Sequence, residues 1–207
     1  ENDIALLKRF SKNIFIFSPN ALDLYNQNIN SKSYHFSGIE NEMEGKPRIG
    51  HFDGVGTVLN LFFRIVKPNK AYLGEKDFQQ LQIVKKLVEI ENLPVKIIGC
   101  PIIRESSGLA MSSRNKRLNT DQLNEAILIY KTLLKVKENF KLLSILKLNQ
   151  LAEKEFKNHP CLTLEYFEIA DTETLKTAIY KSKKKKYRAF IASFIDDVRL
   201  IDNIALN

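Results

Sequence analysis

Two short stretches of this 207-residue chain combine the residue types that anion chemistry needs. The first runs from Tyr72 to Leu81, Tyr-Leu-Gly-Glu-Lys-Asp-Phe-Gln-Gln-Leu. It reads as a strand end, a tight turn at Gly74 and the start of a helix. Phe78, Leu81, Val84, Leu87 and Val88 then share one face of a 3.6-residue repeat. Lys76 and Asp77 are thereby set at a helix N-terminus, where free N–H groups and the helix dipole favour an anion. The lysine adds a mobile positive charge, and the combination suits a nucleotide phosphate. Asp77 is equally suited to the plainer task of capping that helix.

The second stretch runs from Pro101 to Asn115 and is too polar and too rich in small residues for a core element. Ser112, Ser113 and Arg114 are consecutive, and Arg104 lies upstream. Hydroxyls and backbone N–H groups can line phosphate oxygens, and arginine can grip them bidentately. The same text also fits a polar loop in which Ser112 or Ser113 caps a turn. Further upstream, Glu44-Gly45-Lys46-Pro47-Arg48 leads into a helix, and Arg48 is placed either to bind an anion or to pair with Glu44.

The elements that must position these residues follow from apolar patterning. Ala71 to Leu73 reads as a strand, the helix after it runs to Ile90, and Leu93-Pro94 ends the pattern before a second buried strand, Val95 to Gly99. Strand, apolar helix, strand is the signature of a parallel sheet. Ligands in such sheets sit beyond the carboxyl ends of the strands, where both polar stretches fall. Before them, Asp3 to Phe10 is helix-like and Ile14 to Phe17 is a continuous apolar run that reads as a buried strand. Ala21 to Tyr25 reads as a helical turn, Asn26 to Ser33 as a loop, and Tyr34-His35-Phe36 as a short strand. The helix ending at Val66 carries Val55, Leu59, Phe62, Ile65 and Val66 on its apolar face. Gly54 and Gly56 lower its helix propensity and fit a close approach to another backbone or a ligand. After the second stretch, Asn119 and Thr120 are N-cap candidates for a helix reaching about Phe140. Ser144 to Phe156 is a second amphipathic helix. Leu164 to Ala170, Tyr187 to Phe194 and Val198 to Asn203 read as three strands. The expected class is α/β, with a parallel-sheet domain over residues 1–103 and a smaller α+β subdomain over 104–207.

Composition bounds the rest. The chain is 44% hydrophobic and 27% charged, which suits a packed globular core. No apolar run is long enough to span a bilayer, and no secretory pattern is visible. Cys100 and Cys161 have no metal-ligand or redox spacing and are expected to be reduced and at least half-buried, as in a cytoplasmic protein. A net charge of +8 favours anionic partners. Much of it lies in Lys181 and the run from Lys183 to Lys186, flanked by Tyr180 and Tyr187. With no recognisable nucleic-acid module around it, the run is expected to be a solvated loop, and neither nucleic acid nor membrane is an expected partner. The sequence opens at Glu1, without methionine, in helix-like text, so a preceding N-terminal portion is expected.

Taken together, these segments closely resemble the pantothenate synthetase, or pantoate–β-alanine ligase, family. The matching text is Glu44-Gly45, Gly50-His51-Phe52-Asp53-Gly54-Val55, the stretch from Ala71 to Leu81, Arg104-Glu105, Gly108 to Asn115, and Arg199-Leu200-Ile201-Asp202-Asn203. Ile49 stands where the family usually has proline, Ser107 where aspartate is common, and Asp196-Asp197 where smaller residues are usual. The resemblance implies a Rossmann-like nucleotidyltransferase domain followed by an α+β lid, in a cytoplasmic homodimer without a prosthetic group. It implies ATP with Mg²⁺, pantoate and β-alanine as the small molecules handled, and a pantoyl-adenylate intermediate. It places Lys76, Ser112, Ser113 and Arg114 at the ATP phosphates, and Gly74 and Asp77 at the ribose. Ile103 and Met111 fall near adenine, Glu75 lies in the same ATP-binding turn, and Gln80 lies at pantoate. Glu44 and Arg48 are near-site candidates, and no protein-held metal is implied. The segment from Ser112 to Arg114 is similar in role to the Lys-Met-Ser-Lys-Ser loop of class I aminoacyl-tRNA synthetases. The family's His-x-x-His motif is not matched by His35 and His51, so the chain resembles the later part of such an enzyme. Two other readings remain: a nucleotidyltransferase acting on a different acid, and a non-catalytic folding or dimerisation module.

Overall fold

The computed structural model describes residues 2–11, 13–25 and 30–207. The chain divides into two compact units, Glu1–Lys32 and Ser33–Asn207. In the first, α1 (Asn2–Phe10) and α2 (Ala21–Tyr25) form where the apolar pattern places them. Ile14 to Phe17 corrects the expectation of a buried strand: it has no regular secondary structure, and Phe15 is 99% exposed. A strand depends on ladder partners, and this run has none among the described residues. The expected loop from Asn26 to Ser33 falls in part on residues 26–29, outside the described residues.

The second unit opens with an extended Tyr34–Phe36 segment that is likewise not a strand. Its amides are met by side chains instead of a neighbouring backbone. Tyr34 N donates to Asp53 Oδ1 at 2.9 Å and Phe36 N to Glu40 Oε1 at 3.2 Å. The Tyr34 and Phe36 rings stack with centroids 5.3 Å apart. They lie against α3 (His51–Val66) at Gly56, where an added Cβ would meet Tyr34 ring atoms at 3.0 Å. The close approach expected of this helix therefore occurs at Gly56 and is made by aromatic rings. Gly54 has no neighbour within 4 Å of its would-be Cβ. The buried stripe of α3 is Phe52, Gly56, Thr57 and Phe63, while Ile65 and Val66 are exposed. Of the expected face, Val55 and Leu59 do pack against the core, while its C-terminal part does not.

The expected parallel unit is present. β1 (Lys70–Gly74) pairs in parallel with β2 (Lys96–Cys100), with Ala71 opposite Ile97 and Leu73 opposite Gly99. The crossover is α4 (Phe78–Ile90), which buries Leu81, Ile83, Val84 and Leu87. Gly74 is not a turn: its φ of −69° and ψ of 133° are extended backbone. The chain reverses in a 3₁₀ turn at Glu75–Asp77.

Beyond the second polar stretch, α5 (Thr120–Asn139) starts from a capping box in which Asn119 and Gln122 exchange side chain-to-backbone hydrogen bonds. Ser144 caps α6 (Ile145–Lys157). Both helices cover an antiparallel sheet of β3 (Thr163–Asp171), β4 (Tyr187–Ile195) and β5 (Val198–Ala205), in that order. Leu133, Leu148, Ile169 and Ile191 lie in the core between them. A separate core joins Phe36, Met43, Phe78 and Leu81 to Ala170, Leu175 and Phe190, so the α4 region and the antiparallel sheet share buried surface.

Two sequence expectations change in detail. Cys100 is half-buried but Cys161 is exposed. In the lysine-rich segment, Lys181 Nζ donates to the Phe140 and Leu143 carbonyls at 2.5 Å each, and Lys185 pairs with Asp171 at 3.3 Å. Part of that charge therefore braces the end of α5. Among the described residues no helix is long and apolar enough to cross a membrane.

Gly45 bears on the loop that carries Glu44. A Cβ there would lie 1.8 Å from the Glu40 carbonyl oxygen, so backbone must move to admit it. Gly45→Ala is expected to cost about 2 kcal/mol or more, read as a lowered urea-unfolding midpoint. A midpoint equal to the parent's would show that the loop yields freely.

Candidate functional site

A cleft of about 240 Å³ opens between the 3₁₀ turn after β1, the start of α4, the 43–52 segment and the middle of β3, β4 and β5. Six of the residues singled out from sequence line it: Glu44, Arg48, Lys76, Asp77, Gln80 and Arg114. Ser112 sits in an adjoining hollow that also touches Lys76 and Arg114. Ser112, Ser113 and Met111 also border a broader trough against α5. Met111 N donates to the Ile103 carbonyl at 3.0 Å, so the two residues expected near adenine are held side by side. Gly74 and Glu75 lie outside the cleft lining. The Glu75 carboxylate is turned onto Arg188 at 2.9 Å.

The local chemistry explains each placement. Asp77 occupies the cap position of α4 but makes no side-chain cap hydrogen bond, which leaves its carboxylate at the cleft. Ser112 does cap: its Oγ accepts from Arg114 N at 3.2 Å, fixing the turn that presents Arg114. The plain and functional readings of this serine are thus compatible. Arg104 is different from the phosphate-gripping residue that its position suggests. It donates two hydrogen bonds to Asp202, at 2.6 and 3.0 Å, and one to the Gly108 carbonyl at 3.0 Å. Its guanidinium also lies 3.8 Å from the centre of the Tyr130 ring. All of this binds Arg104 to the protein itself.

Glu44 is the electrostatic centre of one wall. Arg199 grips its carboxylate at 2.7 and 2.9 Å, Tyr166 Oη donates to it at 2.7 Å, and Arg48 pairs with it. Burial pushes the Glu44 carboxyl up, but the hydrogen bonds from Arg199 and Tyr166 and the charges of Arg199 and Arg48 outweigh it, so the group titrates below its ordinary 4.5. Burial and the facing carboxylate push the Tyr166 phenol well up. Arg199, also bonded to Glu165, is held more firmly protonated despite its own desolvation. His51 is shifted down by burial and then by the Arg48 charge, which favours a neutral imidazole in the cleft. Arg48 therefore pairs with Glu44, as one of its two sequence readings had it, while still bordering the cleft.

Several functional side chains escaped the sequence reading. Gln79 is 4% exposed and holds the loop before Glu44: its Nε2 donates to the Ile39 and Glu42 carbonyls at 2.9 and 2.7 Å, and its Oε1 accepts from Glu44 N at 3.0 Å. Nothing in a Gln-Gln pair tells which glutamine is buried; only the phase of α4 against its core does. Tyr166, Arg199, Asp202 and Asn203 come from the antiparallel sheet. The last three stand in the family-like block, which was their only sequence signal. Among the described residues no group of three His, Cys, Asp or Glu could hold a metal ion.

A parallel strand–helix–strand unit with a cleft at the carboxyl end of β1, lined by Arg48, Lys76 and Arg114 among others, defines a Rossmann-like α/β protein. The family model described as pantoate-beta-alanine ligase matches residues 1–205, and the chain belongs to that family. It is 53% identical to the pantothenate synthetase of Christiangramia forsetii over 205 residues, covering 99% of this chain and 72% of that protein. It is 48% identical to the pantothenate synthetase of Flavobacterium psychrophilum, covering 100% and 73% respectively. Its fold matches the crystal structure of the pantothenate synthetase from Thermus thermophilus with a TM-score of 0.90 at 32% identity, over 99% of this chain and 74% of that one. A Francisella tularensis pantoate-beta-alanine ligase, solved in complex with beta-gamma ATP and beta-alanine, aligns with a TM-score of 0.74 at 34% identity. That match covers 99% of this chain and 69% of the other.

The depressed Glu44 titration sets a pH dependence. A carboxyl whose folded pKa lies below its unfolded value contributes stability that is complete above 4.5 and is lost as pH falls through the folded value. Glu44→Gln should therefore be less stable than the parent at neutral pH, and the gap should close as pH drops below 4.5. Denaturant unfolding across that range checks it; a gap that stays constant with pH refutes the assignment.

Proposed function

We propose that this chain performs the ATP-dependent ligation of pantoate and β-alanine to pantothenate. The observation that carries the reading is the meeting of Lys76, Arg114, Arg48 and Gln80 on one cleft at the carboxyl end of β1, in a chain of this family. The relative solved with ATP and β-alanine supports the substrate classes.

The reaction has two steps. A pantoate carboxylate oxygen attacks the α-phosphorus of ATP, the bond to the bridging oxygen breaks, and pyrophosphate leaves. The β-alanine amine then attacks the pantoyl carbonyl, loses a proton and expels AMP. Neither step needs a covalent protein intermediate. What the first needs is two anions held in line and charge stabilised on the departing polyphosphate. Lys76 and Arg114 supply mobile and planar cations for that charge, and Ser112 and Ser113 supply hydroxyls beside them. Asp77 faces the ribose. Ile103 and Met111, paired through their backbones, offer an apolar shelf for adenine. Gln80, one helical turn beyond Lys76, donates to pantoate. Glu44 and Arg48 hold the wall of the pantoate side rather than react. In this reading Glu75 serves the ATP turn through its backbone, since its carboxylate is engaged by Arg188.

Mg²⁺ fits as part of the substrate, carried by the polyphosphate, because magnesium is commonly held by phosphates and water with one or two carboxylates. Asp77 is the cleft carboxylate with no arginine on it. Neutralising the polyphosphate is the chemistry it supplies. The reading extends to residues 1–103 as nucleotide-binding domain, residues 104–207 as lid, and a cytoplasmic homodimer. The change from parallel to antiparallel sheet supports the division, and family membership supports the rest.

Pyrophosphate release from Mg·ATP and pantoate tests the proposal, with this chain alone and with the His-x-x-His-bearing N-terminal segment of a family relative added. Release in neither condition overturns it for this chain. Lys76→Ala should lower release about 100-fold or more while leaving the unfolding midpoint close to the parent's, because the lysine lies in a polar turn. Gln80→Ala should raise the KM for pantoate about 10-fold and leave that for ATP within about 2-fold. Equal effects on both substrates would remove Gln80 from the pantoate side.

A further inference from the structure

The cleft depends on a contact that none of the substrate roles uses. Asn203 on β5 is 2% exposed, and its carboxamide reaches across to the turn that presents Lys76. Its Nδ2 donates to the Glu75 carbonyl at 3.0 Å and to the Lys76 carbonyl at 2.8 Å. Its Oδ1 accepts from Arg188, whose other terminal nitrogen holds the Glu75 carboxylate at 2.9 Å. The Asn203 backbone is fixed in turn, with its N–H donating to Asp202 Oδ1 at 2.7 Å. Two successive carbonyls gripped by one amide leave the peptide between them almost no rotational freedom. That peptide carries the Lys76 Cα, so the direction in which the lysine leaves the backbone is set from β5.

We infer that Asn203 is a positioning residue for Lys76: by holding the Glu75 and Lys76 carbonyls it fixes where the Lys76 ammonium stands at the nucleotide phosphates. The inference rests on the phosphate role proposed for Lys76. Lysine is a flexible donor with four side-chain torsions, and only its root can be anchored without removing its reach. A root displaced by about 1 Å is enough to cost roughly 100-fold in a step that depends on alignment. The neighbouring geometry gives this anchor a single setting. Arg188 stacks on the Phe78 ring at 4.2 Å from its centre, which ties the guanidinium to the core beneath the turn.

A double-mutant cycle tests this, because a purely structural residue and a positioning residue differ in how they combine with loss of the lysine. Mg·ATP affinity is measured by calorimetry, and pyrophosphate release alongside it, for the parent, Asn203→Ala, Lys76→Ala and the double variant. Asn203→Leu is included as an uncharged variant of similar shape that lacks the two donors. Asn203→Ala and Asn203→Leu are expected to weaken Mg·ATP binding about 10-fold in the Lys76 background and less than about 2-fold in the Lys76→Ala background. The same loss in both backgrounds, or no loss in either, overturns the inference. If Lys76→Ala alone binds Mg·ATP like the parent, it is the phosphate role of Lys76 that fails, and the positioning role falls with it. Far-ultraviolet circular dichroism accompanies each variant. If neither Asn203 variant folds, the residue serves the fold rather than the lysine, and the inference is likewise overturned.

Discussion

Asp202 and Asn203, adjacent on one strand, hold the two polar stretches of this protein in place. Successive strand residues point to opposite faces of a sheet, so a single dipeptide can reach two different segments. Asp202 takes the guanidinium of Arg104, where the serine-rich stretch begins. Asn203 takes the carbonyls of the turn that carries Lys76. The side chain of Asp202 is 1% exposed, and a carboxylate so deeply buried is tolerable only because its acceptor capacity is filled. The separation between the lysine and the serine–arginine segment is thereby set by a strand rather than by either loop.

The opposite wall follows the same logic with other residues. Glu44 draws Arg199 from β5, Tyr166 from β3 and Arg48 from its own loop onto one carboxylate. Gln79 then fixes the loop from below through three backbone groups. Such networks stabilise when every member is satisfied and are costly when one is removed. The cleft thus owes its shape to polar contacts at its edge and to the shared aromatic core beneath, where Phe78 meets Phe190 at a centroid distance of 6.0 Å.

How much of this was legible in the sequence depended on the range of the physics involved. The β1–α4–β2 unit and the capped helices α5 and α6 are local, and periodicity and capping residues revealed them. Ile14 to Phe17 misled because an apolar run says nothing about whether a ladder partner exists. In α3 the pattern finds Val55 and Leu59 but not the burial at Gly56, which Tyr34 and Phe36 make. In the site, Lys76 and Arg114 are visible as chemistry in polar text, Lys76 because a helix start announces itself, while Gln80 is marked only by the family resemblance. Arg104 is ambiguous in the sequence because arginine chemistry is the same toward a phosphate and toward a buried carboxylate. Only its distance to Asp202 separates the two. Tyr166 has no local signal at all, and Gln79 and Asn203 are marked only by standing in family-like text.

The contacts that build the cleft also have a common scale along the chain. Arg104 and Asp202 are 98 residues apart, Glu75 and Asn203 128, and Glu44 and Arg199 155. Closing loops of that length is entropically slow compared with forming the helices, and the reward comes only when the sheets have met. The helix start at Lys76 can form early and on its own, but without β5 it has no fixed lysine. The geometry of the cleft is therefore a late-acquired, all-or-none property of the folding chain, and no excised peptide around the Lys76 turn should inherit it.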